Sequence, residues 1–304
     1  MQDSTERATW RIARAAAVVM AGMALSSLAG LATTVLVSRA FGTSADLDAF
    51  YAANRLPEIL FNLMAGGALA SAFVPTFTGL LTVGDRPSAW RLASAIGNSV
   101  LLILSATAAL AWLVAPWLVT RILAPGFGDP AQWEATVRLL RIMLISPVVF
   151  GVSGLLMGIL NAHQRFLLPA LAPACYRLGW LLGLILLVPR LGIAGLAWGV
   201  VLGAGLHLLV QLPGLRGLTA RYRPGLGWGE ANVRHVGRLM LPRLLGVAVV
   251  QLNFLVNTIL ASAMPEGSVT SMALAFSLML VPQAVVAQAT AIAALPTLSA
   301  QVAR

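Results

Sequence analysis

The sequence predicts an all-α, polytopic membrane fold of about eight spans, and three observations carry that prediction. Hydrophobic residues make up 59% of the 304 residues and charged residues only 10%, against roughly 25% charged in a soluble domain. Charge-free apolar runs recur at 15–38, 59–84, 92–120, 191–215, 244–265 and 267–303. Each supplies the about 20 residues that a helix needs to cross a hydrocarbon layer. Finally, every one of the 20 basic residues is Arg, and many stand where apolar runs break. A buried soluble helix explains one such run, but not a series of them.

The helices are expected near 15–38, 52–80, 92–122, 136–160, 166–188, 191–213, 237–262 and 269–300. Met1 to Arg14 carries Asp3, Glu6, Arg7, Arg11 and Arg14 ahead of the first run. That run is about twice the length of a signal-peptide core and lacks a small-x-small cleavage site, so a retained first span is expected. The second and eighth helices are longer than a span requires, which predicts tilt, kinking or extension beyond the lipid. Gly84-Asp85-Arg86-Pro87 reads as a turn, and Ala124-Pro125-Gly126-Phe127-Gly128-Asp129-Pro130 as an irregular connection. The fourth helix starts with Arg138 and Arg141, placed to snorkel toward the headgroups. The fifth is interrupted by Arg177. Short links at Asn161 to Arg165 and at Pro189-Arg190 make the fourth to sixth helices antiparallel neighbours. Gly214 to Asn232 is the longest polar connection, so the chain divides into a six-helix lobe at 1–213, an inner connecting segment at 214–236, and two helices of a second lobe at 237–304.

Orientation follows from the Arg distribution. With the N-terminus inside, the inner segments hold Arg7, Arg11, Arg14, Arg86, Arg91, Arg165, Arg216, Arg221, Arg223, Arg234, Arg238 and Arg304. The outer connections hold Arg39, Arg55, Arg121 and Arg190, with Arg138 near an outer end, alongside Asp46, Asp48, Glu58, Asp129, Glu134 and Glu266. This inner excess satisfies the positive-inside rule. The formal net charge of +10 is thereby read as topology signal and headgroup contact, not as a nucleic-acid face.

Glycines inside the spans, among them Gly30, Gly97, Gly151, Gly158 and Gly203, suit close helix packing. Pro116, Pro147, Pro169, Pro173, Pro242 and Pro282 are expected to kink or break helices. Cys175, the single cysteine, excludes an intramolecular disulfide and multi-cysteine metal sites. His163, His207 and His235 are dispersed without acidic neighbours, so no metal site is expected. The sequence carries no P-loop, nucleophile elbow, dinucleotide fingerprint or HExxH motif. Neither an enzyme active site nor an ATP-driven engine is written in this chain, and no cofactor is expected.

The residues that carry candidate chemistry are charges at membrane depth. Arg177 in the fifth span and Arg243 near the start of the seventh must snorkel, face a watery cavity or bind an anion. Arg39 and Arg55 could pair with Asp46 and Asp48 around the first connection, either fixing the mouth of a cavity or lining a solvated loop.

At Ser38-Arg39-Ala40-Phe41-Gly42, Asp48-Ala49-Phe50 and Arg55-Leu56-Pro57 the sequence resembles the MurJ (MviN) family of lipid II flippases. The likeness continues through Gly67-Ala68-Leu69-Ala70-Ser71-Ala72-Phe73-Val74-Pro75, Ala124-Pro125-Gly126-Phe127, Gly158-Ile159-Leu160-Asn161 to Arg165-Phe166, and Pro169-Ala170 to Pro173. It extends to Leu191-Gly192-Ile193-Ala194-Gly195-Leu196-Ala197-Trp198-Gly199, Asn257-Thr258-Ile259 and Leu295-Pro296-Thr297-Leu298. The resemblance implies the fold of the multidrug, oligosaccharidyl-lipid and polysaccharide exporter superfamily, in which two six-helix lobes face a central cavity. It implies an undecaprenyl-pyrophosphate-linked glycan precursor as substrate, the cytoplasmic membrane as location and alternating access as mechanism. Eight spans then amount to a first lobe and two helices of a second, as expected of a truncated sequence or of a split or shortened gene product, with a second chain as one possible source of the further helices.

Position by position, the resemblance carries over incompletely. The family aspartate after the first helix corresponds to Asp48. Its cavity arginines fall on Ser27, Thr33, Phe61 and Ser277, and a glutamate falls on Gly66. Ser and Thr cannot supply the charge or forked donors of Arg to a pyrophosphate. Arg177 or Arg243 is then the expected substitute source of charge. Sodium or proton coupling is a further implication, and the matching region holds Asn253, Asn257 and Thr258, a weak ligand set without a carboxylate. The resemblance leaves three functions open: lipid II flipping, a degenerate noncatalytic scaffold in cell-wall assembly, and export of another polysaccharide or drug.

Overall fold

The computed structural model describes residues 2–65, 68–218 and 222–279, with side chains from Ala17 onward except at 64, 65, 68 and 70. The expectations placed on Gly66, Gly67, Arg221, Pro282 and Leu295 to Leu298, and on the side chains of the first sixteen residues, lie outside the described residues. Twelve α-helices are described: α1 (Gln2–Phe41), α2 (Ala45–Ala65), α3 (Ala68–Thr82), α4 (Arg86–Leu113), α5 (Ala115–Leu118), α6 (Pro130–Met143), α7 (Ile145–Ala162), α8 (Leu167–Leu182), α9 (Val188–Leu191), α10 (Ile193–Leu209) and α11 (Ala231–Ser262), then α12 (Ser268–Met279). Six stretches among the described residues are long and apolar enough to cross a membrane: Ala17–Phe41, Arg86–Leu113, Pro130–Ala162, Leu167–Leu191, Ile193–Leu215 and Ala231–Ser262.

The second expected helix, 52–80, extends further at both ends, α2 starting earlier at Ala45 and α3 ending at Thr82, with residues 66 and 67 outside the described residues. The Asp46 and Asp48 carboxylates fall in the first turn of α2, where the helix dipole favours negative charge. This explains why the helix begins inside what reads as a polar loop. The fourth expected helix likewise starts earlier. Asp129 accepts a hydrogen bond from the Ala131 amide at 2.9 Å and Pro130 occupies the first turn, a combination that opens helices. The α6–α7 break at Leu144 stands just ahead of Pro147, whose ring cannot sit against the carbonyl four residues back in a regular helix. The third and fifth expected helices each contain one π-helical turn, Val119–Leu123 and Gly183–Leu187.

Packing is closest where α8 meets α10. A Cβ on Gly179 would strike the Gly203 backbone, and one on Gly183 the Gly199 backbone, so two glycine pairs let the helix backbones touch without side chains between them. Such contact replaces the hydrophobic drive that is weak between helices in lipid. The main core buries Phe50 on α2, Phe73 and Phe77 on α3, Leu92 on α4, Leu139, Leu140 and Met143 on α6, and Leu196 on α10. Outward, Leu28, Leu113, Ile185, Leu245, Val249 and Leu260 are exposed. An apolar exterior of this extent fits lipid as the surrounding solvent.

The polar connections are fastened to helices. Arg165 donates from Nη1 to the Gly214 and Arg216 carbonyls at 2.6 and 2.7 Å. Asn98 of α4 donates to the Gly225 carbonyl at 2.8 Å and accepts from the Tyr222 hydroxyl at 3.0 Å. Trp228 donates to the Ser99 hydroxyl at 3.0 Å. The segment expected to separate two units thus lies along α4.

Candidate functional site

Six helices, α1, α2, α7, α8, α11 and α12, wall a cavity of about 310 Å³. Helical spacing on α2 aims Tyr51, Arg55, Glu58, Phe61 and Asn62 into it, since residues three and four apart share a face. From α8 come Tyr176, Arg177 and Trp180, and from α11 come Gln251 and Phe254. Phe150 on α7, Phe276 and Ser277 on α12, and Thr33 on α1 complete the wall.

Two arginines bring positive charge to this space. Arg55 reaches Glu58 one turn ahead, with N···O at 3.2 Å, and its guanidinium carbon lies 5.5 Å from the centre of the Phe254 ring. Its Nε is buried without a hydrogen-bond partner. Arg177 sits over Tyr176 and Trp180, at 5.7 and 5.8 Å from the ring centres. Its guanidinium packs beside Gly30, 3.4 Å from where a Cβ there would stand. Among the described residues Arg177 has no hydrogen bond and no carboxylate within salt-bridge range. Glu58 therefore offsets one of two guanidinium charges, leaving the cavity net positive.

The rest of the wall is mostly aromatic. Phe61 packs on Phe150 with ring centres 4.3 Å apart and on Tyr176 at 6.4 Å. Phe150 meets Tyr176 edge-on at 5.0 Å. Gln251 brings a polar group into this setting, and its Oε1 is buried with no partner. Thr33 and Ser277 line the cavity but spend their hydroxyls on the Ala29 and Ala273 carbonyls, at 2.7 and 2.9 Å. Neither hydroxyl substitutes for a charge.

Several expected site residues lie elsewhere. Asp48 is buried away from the cavity. Its Oδ2 accepts from the Gly267 amide and its Oδ1 from the Thr270 amide, both at 2.7 Å. It caps the start of α12 from across the molecule, so the expected pairing with Arg39 or Arg55 does not form. Arg39 is exposed and outside the wall, as are Arg243 and Ser27. Arg243 fails as a cavity charge because it stands about three turns before Phe254 along α11, exposed and outside the cavity wall.

The expected ion-binding set is not assembled at the cavity either. Asn253 is exposed, Asn257 donates to its Oδ1 at 3.2 Å, and Thr258 donates to the Phe254 carbonyl at 3.0 Å. His207 instead meets Ser153, with Oγ to Nδ1 at 2.6 Å, and Gln211, which donates to the His207 carbonyl at 2.8 Å. No group of three or more His, Cys, Asp and Glu side chains is arranged for a metal among the described residues.

Sequence reading placed Glu58 with the outer acids and passed over Tyr176, Trp180 and Gln251. Glu58 and Trp180 stand at i, i+3 from Arg55 and Arg177, Tyr176 adjoins Arg177, and Gln251 is one of three amides, with Asn253 and Asn257, in the apolar run 244–265.

Comparison with known proteins places these features in context. A family described as "Lipid II flippase MurJ" matches residues 37–304. A lipid II flippase MurJ from Burkholderia cenocepacia is 32% identical over 281 residues, covering 90% of this chain and 54% of that protein. A probable lipid II flippase MurJ from Bdellovibrio bacteriovorus is 33% identical over 300 residues, covering 95% and 56%. Among solved structures, an inward closed conformation of lipid II flippase MurJ aligns with a TM-score of 0.74 at 24% identity, covering 87% of this chain and 54% of that one. A MOP superfamily transporter from Pyrococcus furiosus aligns with a TM-score of 0.67 at 16% identity, covering 88% and 60%. These likenesses show a shared multi-pass helical membrane fold. The chain spans about half the length of the curated relatives it matches.

Proposed function

We propose that this chain, which belongs to the lipid II flippase MurJ family, contributes one wall of a flippase for a lipid-linked peptidoglycan precursor. It works as a secondary transporter in the cytoplasmic membrane, with the N-terminus on the cytoplasmic side. The observation that carries this reading is the meeting of Arg55 and Arg177 in one cavity with only Glu58 to offset them. A pyrophosphate bridging a polyprenyl tail and a glycan needs charge-assisted donors, and guanidinium forks provide them. The aromatic wall offers faces for an adjoining sugar ring. At about 310 Å³ the space is at the small end for ligand cavities, so it accepts the pyrophosphate and its first sugar. The remaining headgroup faces the equivalent of the relatives' other half, on further sequence or on a second chain. Any sodium or proton coupling would draw its ligands from there as well.

The test is transport of fluorescent lipid II across vesicles containing the protein. Arg177→Gln and Arg55→Gln should each slow transport, and unchanged rates in both would overturn the reading. Phe61, standing where the resemblance expects an arginine, favours one alternative, a noncatalytic scaffold in cell-wall assembly. In that case wild-type vesicles would show no transport above protein-free vesicles.

A further inference from the structure

A second concave surface lies apart from the cavity, sharing no lining residue with it. It is an open groove of about 820 Å³ formed by the end of α4, the start of α5, the face of α6 and the start of α10. Trp112, Trp133 and Trp198 line it together with Arg138, Arg141 and Glu134. Tryptophan is the side chain enriched where hydrocarbon meets headgroups, and three of the chain's 8 tryptophans are gathered here.

The charges in the groove are not neutralised. Arg141 donates from Nε to the Trp112 carbonyl at 3.2 Å and lies over the Trp112 ring at 4.5 Å, contacts that hold the guanidinium without cancelling its charge. Arg138, one turn before it on the same face, is exposed and has neither hydrogen bond nor ion pair among the described residues. Glu134 precedes Arg138 by one turn yet forms no salt bridge with it. Trp133 also lines the groove, its indole fixed by donation to the Ala124 carbonyl at 3.0 Å. The groove continues over Ile142 and Ile145, the latter exposed.

We propose that this groove binds an anionic phospholipid, its phosphodiester between Arg138 and Arg141 and an acyl chain along Ile142, Ile145 and Trp198. Charge complementarity selects the headgroup, because two uncancelled guanidiniums among three tryptophans favour an anion. The exposed apolar floor selects a lipid over a soluble anion. The site is independent of the transport reading, since it uses none of the cavity residues.

The test uses the whole chain in phosphatidylcholine nanodiscs and follows tryptophan quenching by brominated phosphatidylglycerol against brominated phosphatidylcholine. Half-maximal quenching should need about fivefold less of the anionic lipid, which corresponds to about 1 kcal/mol. Arg138→Gln with Arg141→Gln should bring the two lipids within twofold, while Arg190→Gln, outside the groove, leaves the preference intact. Arg138→Lys with Arg141→Lys keeps the charge and should retain most of the preference, a check that survives misfolding of the Gln pair. Equal quenching by both lipids, a preference that persists in the Gln pair, or its loss in the Lys pair would overturn the proposal. So would abolition of the preference by millimolar inorganic phosphate, which would mark a soluble-anion site.

Discussion

Asp48 and Arg55 stand about two turns apart on the same helix, and the structure treats their charges in opposite ways. Asp48 is buried at the α12 junction, with an amide on each carboxylate oxygen. Arg55 faces the cavity with one carboxylate near it and a buried Nε left over. A satisfied buried charge holds structure together, while an under-satisfied one beside open space is available to a ligand. The same contrast separates Asp48 from Arg177.

The largest effect should come from removing the satisfied charge. Asp48→Ala strands two backbone amides and should cost about 3 kcal/mol, given the worth of hydrogen bonds to charged groups. Hydrogen exchange at Gly267 and Thr270 should then accelerate about a hundredfold, with Asp48→Asn falling between. Unchanged exchange would mean that the junction does not depend on this carboxylate. Next in size, Arg177→Gln should weaken binding of a polyprenyl pyrophosphate about tenfold while leaving thermal stability nearly unchanged, because no protein anion loses its partner. A stability loss matching that of Asp48→Ala would erase the distinction between the two kinds of charge.

Arg55→Gln should weaken the same binding only about threefold, since Glu58 already offsets part of the charge, and Glu58→Gln should strengthen it about twofold. A reversed order of the two arginines would show that burial outweighs pairing in this cavity.

The smallest effect sharpens the comparison from the exposed side. Asp85 also caps a helix, accepting from the Ser88 amide at 3.1 Å, and the Ser88 hydroxyl and amide hold its carboxyl below the usual carboxylate range. Because the folded value is the lower one, its contribution is present above the unfolded pKa and fades as pH falls through the folded pKa. Ser88 amide exchange should rise modestly over that acidic window. The Asp85 cap should yield far less than the Asp48 cap, since water can replace it.

Much of the fold was legible because hydropathy reports directly on lipid exposure. The runs around Ala17–Phe41, Arg86–Leu113 and Ala231–Ser262 are helices near where their apolar stretches predict. The pattern missed the start of α2 at Ala45, because Asp46 and Asp48 read as a polar connection. The break at Leu144 stands where Pro147, three residues later, is expected to interrupt a helix. In the site, depth alone singled out Arg177 and Arg243 equally. Their positions along the helices distinguish them, Arg177 lining the cavity and Arg243 standing exposed about three turns before Phe254. Asp48 was recognisable by resemblance as important, but its partners are backbone amides more than two hundred residues away in sequence, which no side-chain pattern announces.

The contact of α8 with α10 through Gly179 and Gly203, and again through Gly183 and Gly199, has a consequence for the neighbouring Arg177. Helices separated by a layer of side chains can slide to accommodate a thinner or thicker bilayer, but backbones locked at two successive turns cannot. The height of Arg177 relative to α10 is thereby set by these glycine contacts rather than by the membrane. Its affinity for a pyrophosphate should stay constant across lipids of different acyl length, as a measuring rod keeps its marks whatever the depth of the water.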